Sequence, residues 1–143
     1  MEHREFIKRV QEAAELATAD EAETVVGAVL GTLGELLSPT ERRHLAAQLP
    51  KPLKEYVDRR VERPPREMTR PHRFPLAEFY QRVAARADVR YPAAVQRSQA
   101  VMRVLQEAVA AGELADLFRE LPDEYEELRS GKPAGPLSPS LTK

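Results

Sequence analysis

Glu41-x-x-His44 is the pair of residues in this 143-residue chain best suited to hold a ligand. Three positions apart on a helix, a carboxylate and an imidazole share one face, a spacing that carboxylate-bridged di-metal bundles use twice. At the matching place 72 residues on, the chain offers Glu113-x-x-Asp116 instead. A di-metal site needs further carboxylates from neighbouring helices, and Glu35 and Glu107 are the two at suitable positions. Two features count against a site. Ser38-Pro39-Thr40-Glu41 reads as a helix start in which Glu41 completes a capping box, and His44 is flanked by Arg43. Glu41, His44, Glu113 and Asp116 are therefore candidate metal ligands on what otherwise reads as a solvated helix face. No metal or cofactor is expected.

Nucleophilic chemistry has less to work with. Cysteine is absent, no Gly-x-Ser-x-Gly occurs, and His3, His44 and His72 fall in a terminus, a helix face and a connector. No glycine-rich loop precedes a helix to cradle phosphate. The chain does not read as an enzyme.

Two other groups are candidate interaction residues. Gly27, Gly31 and Gly34 share one stripe of a helix, where each costs about 0.5 to 1 kcal/mol relative to Ala, so another backbone is expected to approach them closely. Packing inside the same unit is the first reading; contact with the other unit or a second chain is the sharper one. Arg59, Arg60, Arg63, Arg66, Arg70 and Arg73 give residues 59–73 a local charge of +4, which can meet phosphates. No aromatic residue is interleaved with them for base stacking, and the net charge of the chain is −1, so nucleic acid is the alternative reading. Residues 113–127 carry −6 and residues 41–55 carry +2. Docking of the acidic stretch on the arginines or on the basic helices is expected.

The elements that position these residues follow from periodicity and punctuation. Phe6, Val10, Ala13, Ala14 and Ala17 give an amphipathic first helix over Glu5 to Ala17. Thr18-Ala19-Asp20-Glu21 is a capping box for a second, nearly all-apolar helix running to about Leu37. Ser38-Pro39 starts a third that buries Leu45 and Leu49 and stops at Pro50; Pro52 opens a short fourth with Leu53, Tyr56 and Val57. The frame then recurs. Phe79, Val83 and Ala87 match Phe6, Val10 and Ala14 at an offset of 73. After a one-residue deletion in the first loop, Ala94, Val101, Leu105, Glu107, Glu113, Leu117, Leu121 and Pro122 match Ala22, Val29, Leu33, Glu35, Glu41, Leu45, Leu49 and Pro50 at 72. The second copy has Ala110-Ala111-Gly112-Glu113 where the first has its Ser-Pro start.

Glu5-Phe6, the long apolar second helix, Ser38-Pro39-Thr40-Glu41 and Leu45-Ala46-Ala47-Gln48-Leu49-Pro50, repeated once, resemble the bacterial domain-of-unknown-function family numbered 2267 over about residues 4–130. The resemblance implies small all-helical proteins of two such repeats and a bacterial source. It implies no catalytic or binding residue.

The expected architecture is all-α, with eight helices as two homologous four-helix repeats packed together. Residues 1–60 form the first, 61–74 an Arg/Pro-rich linker, 75–130 the second, and 131–143 a disordered tail. Units this small are marginal alone, so they should share apolar surface. The longest uncharged stretch, Thr24 to Gly34, is 11 residues, too short to span a bilayer. The charged start of the chain, Met1 to Phe6, does not read as an export signal. The expectation is a cytoplasmic, non-enzymatic protein-interaction or regulatory module with a protein partner or self-association, and no membrane role.

Overall fold

The computed structural model describes residues 1–59 and 73–131, and among these the chain folds into eight α-helices and one 3-10 turn, with no strand. Arg60, Arg63, Arg66, Arg70, the rest of the linker to His72, and the tail beyond Gly131 lie outside the described residues. Helix α1 (His3–Ala13) buries Phe6, Ile7 and Val10. It ends sooner than its apolar spacing suggests. Glu15 takes the left-handed conformation (φ 56°), and the Leu16 amide donates to the Gln11 carbonyl at 2.9 Å, which turns Leu16 into the core. The same turn follows α5 (Leu76–Ala87), with Asp88 at φ 58° and the Val89 amide donating to the Ala84 carbonyl at 3.0 Å. Both residues meet a constraint that more often selects Gly or Asn.

Helix α2 (Ala19–Leu36) starts on the expected capping box. Thr18 Oγ1 accepts from the Glu21 amide at 3.1 Å, and the Glu21 carboxylate accepts from the Thr18 amide at 3.3 Å. Every residue from Val25 to Gly34 is buried, because α1, α4 (Lys51–Arg59), α5 and α6 (Tyr91–Ala108) all pack on this helix. Helix α3 (Pro39–Ala47) pairs with α4 and with α7 (Ala111–Arg119). The last described elements are the 3-10 turn Asp123–Tyr125 and α8 (Glu126–Ser130), which packs on α6. The buried residues form one continuous cluster from Phe6 to Leu128, so the shared apolar surface is a single core.

The glycine stripe faces α4 of the same chain. A Cβ at Gly34 would stand 2.0 Å from the Val57 carbonyl oxygen, and one at Gly27 would stand 3.4 Å from the Tyr56 ring; Gly31, between them, is buried. At Gly34 α4 approaches so closely that only a hydrogen fits, while Gly27 lies against the Tyr56 ring at ordinary contact distance; packing inside the same unit, the first reading of the stripe, describes both. At the matching positions of α6, Gln99 Nε2 donates to the Tyr80 hydroxyl of α5 at 3.3 Å, and Gln106 Nε2 donates to the Arg129 carbonyl of α8 at 2.9 Å, so long polar side chains stand where the first half has glycine.

Tyr125 ties the end of the fold to the start of α5. Its ring is fully buried edge-on to Phe79, with centroids 5.9 Å apart, and its hydroxyl donates to the Phe74 carbonyl at 2.7 Å. Tyr125→Phe leaves that buried carbonyl short of a donor and is expected to lower stability by about 1–2 kcal/mol in urea denaturation.

Candidate functional site

Where α3 meets α7, two glutamates 72 positions apart face each other. Glu41 and Glu113 are only 7% and 8% exposed, and Oε2 of each has no hydrogen-bond partner among the described groups. His44, exposed one turn along α3, completes a cluster in which one ligand atom from each of the three residues lies within 4.8 Å of the others. Three of the four candidate ligands are thus brought together. Asp116 is not among them: its carboxylate binds Arg119 of its own helix at 2.8 Å.

The local rule that assigned Glu41 to a capping box holds in one direction only. Ser38 Oγ accepts from the Glu41 amide at 3.1 Å, as expected. The Ser38 amide, however, donates to Glu120 Oε1 at 3.0 Å, and Ser38 Oγ donates to Glu120 Oε2 at 2.8 Å. Glu120 comes from the end of α7, and by taking the cap it leaves the Glu41 side chain to turn toward Glu113. The opposite helix start is served in the same way. Ala110 has no side chain to cap α7, and its amide donates to Gln48 Oε1 at 2.8 Å. Ser38 and Ala110 are 72 positions apart, as are Gln48 and Glu120, so the two bonds are counterparts that cross the seam in opposite directions. Sequence reading missed Glu120 and Gln48 as site residues. Their signal was a polar side chain directly before Leu121 and Leu49, which match at an offset of 72. Glu120→Ala is expected to cost about 1–2 kcal/mol by exposing the α3 cap, measured by urea denaturation.

Burial, and then the neighbouring Glu113 and Glu120, push the Glu41 carboxyl up to about 7, against the opposing pull of His44. Ionising Glu41 beside a second buried carboxyl is costly, so the seam gains from a proton on Glu41 or from positive charge.

The remaining acidic candidates are engaged elsewhere. Glu35 accepts from Arg86 at 2.9 and 3.2 Å and from Arg82 at 3.1 Å, and Glu107 accepts from Arg9 at 2.9 Å. These ion pairs join α2 to α5 and α6 to α1 across the two halves, which leaves Glu35 and Glu107 unavailable as metal ligands. The 113–127 stretch does lie against the basic 41–55 stretch, α7 packing on α3, but its charged side chains find other partners. Glu124 accepts from the Leu76 amide and Glu127 from the Tyr80 hydroxyl, while Arg42 on the basic side pairs with Asp58 of its own half. Of the two described arginines in the basic run, Arg59 lies over the Tyr56 ring at 4.6 Å. Arg73 donates to the Glu120 carbonyl at 3.1 Å.

Tyr56 also donates a short hydrogen bond to Glu23, beside a small open cavity lined by Thr24, Gly27, Ala28, Arg59 and Arg86. Burial and that carboxylate push the Tyr56 hydroxyl up to about 12, so it stays a donor at neutral pH. No helix among the described residues is long and apolar enough to cross a membrane.

Residues 3–128 match the family model described as Uncharacterized conserved protein (DUF2267). No curated protein matches the chain.

Proposed function

The chain belongs to the DUF2267 family, whose description states no activity, and on that premise we propose that it is a non-enzymatic interaction or regulatory module of the bacterial cytoplasm. It is read as two homologous four-helix units fused in tandem. The offset of 72 between Ser38–Glu120 and Ala110–Gln48 supports the tandem reading, as does the equivalent placing of Arg9–Glu107 and Arg82–Glu35. The observation that carries the regulatory reading is the seam between α3 and α7. It sets a buried carboxyl from each half against the other, one oxygen of each having no hydrogen-bond partner among the described groups, so how firmly the halves hold there depends on what neutralises the pair.

The test compares proteins recovered from native lysate by the wild type and by Glu41→Gln, which neutralises the seam without changing its shape. A defined partner whose recovery changes between the two supports the reading. No partner with either, or identical recovery with both, sinks it. Fractionation that finds the protein outside the cytoplasm would overturn the location. The nucleic-acid alternative draws no support from Arg59 and Arg73, which are turned to a ring and a carbonyl of the protein itself.

A further inference from the structure

We infer that Glu41, His44 and Glu113 bind one first-row transition-metal dication at the seam; the inference rests on reading that seam as the module's regulatory element. A cluster of acidic side chains alone would not carry this. Here two of the three cluster residues are more than nine-tenths buried, and each keeps a buried carboxylate oxygen with no hydrogen-bond partner among the described groups. A buried acceptor of that kind calls for a proton or a cation.

The donor set and geometry favour a metal of the zinc type. Zinc holds carboxylate oxygens and imidazole nitrogens at about 2.0–2.2 Å, so donors around it stand roughly 3–4 Å apart. The three groups already lie within 4.8 Å before any side chain rotates. An imidazole beside two carboxylates selects against calcium and magnesium, which take oxygen ligands. His44, exposed at the rim, gives an entry path and leaves room for water to complete the coordination sphere. Two ligands come from α3 and one from α7, so the ion would fasten one half to the other. Asp116, Glu35 and Glu107 are held by arginines, which limits the site to one ion.

The experiment is calorimetric titration of tag-free full-length protein, stripped with EDTA and dialysed, with ZnCl2 at pH 7.5. Thermal melts and the nitrogen chemical shifts of the His44 ring are followed in parallel. One Zn2+ per chain, a rise in Tm and a shift confined to His44 are expected. His44→Ala, at an exposed position that does not threaten the fold, and Glu113→Gln are each expected to weaken binding at least about tenfold, the scale that outer partners of a metal site already reach. His3→Ala is the control, because His3 is paired with Glu23 at 2.9 Å, away from the seam. The absence of saturable binding by folded protein overturns the inference. So does binding lost with His3→Ala and kept with His44→Ala. Either result leaves the comparison of partners recovered from lysate intact, so the failure of the metal site is distinguishable from the failure of the module.

Discussion

Gly34→Ala is expected to destabilise the protein by about 3–5 kcal/mol, the upper end for an overpacked core, and to lower Tm accordingly. The added methyl carbon would stand 2.0 Å from the carbonyl oxygen of Val57. A flexible side chain can swing aside, but this obstacle is backbone in the last turn of α4. Relief therefore requires moving that turn off α2, together with the fully buried Val57. The matched comparison is Gly112→Ala on α7, where a Cβ meets nothing within 4 Å. There the ordinary helix preference applies and a gain of about 0.5–1 kcal/mol is expected. Urea denaturation of both variants checks the pair; similar effects from the two would show that the close approach of α4 is not what Gly34 serves.

Glu41→Gln is expected to stabilise the metal-free protein above neutral pH, by up to about 2–3 kcal/mol. The Glu41 carboxyl titrates near 7 in the fold, against an ordinary value of 4.5. A raised value means that the folded state holds its proton longer than the unfolded chain does. Wild-type stability from this group is therefore full below about 4.5, falls as pH rises through 7, and levels off above it. Glutamine keeps the shape, needs no proton, and offers Glu113 an N–H in place of the acid O–H. The difference between variant and wild type should be small at pH 4.5 and grow to its maximum by pH 8, measured by denaturation in EDTA. A pH-independent difference would show that the carboxyl pair does not share a proton.

Much of the fold was readable because its determinants are local. Thr18 and Ser38 cap the helices they precede, and the apolar spacing of Phe6 and Val10 marks the buried side of α1, whereas α3 ends at Ala47, three residues before the expected stop at Pro50. The end of α1 was less legible, since nothing in the composition of Glu15-Leu16 announces a left-handed residue. The candidate site was half-legible. Glu41 and His44 stand out by their spacing, and Glu113 matches Glu41 at the offset of 72. That Glu41 is available at all depends on Glu120, which lies 82 positions from Ser38 in the chain. A capping box read along the chain has no means of anticipating a competitor from the other half. The same distance hid Gln48 as the cap of Ala110, although the missing local cap on α7 was visible.

The facing of Glu41 and Glu113 bears on ancestry. Under the proposed duplication, a lone four-helix unit pairing with its own copy would have placed one glutamate opposite itself across a symmetry axis. Identical groups on such an axis must be accompanied by identical neighbours, so a homodimer could flank the carboxyls only with two histidines or with two aspartates. Fusion into one chain lifts that restriction. One side now has His44 and the other Asp116, the latter committed to Arg119. An asymmetric set of two oxygens and one nitrogen, inaccessible to a symmetric pair, is thus what joining the copies makes available to selection.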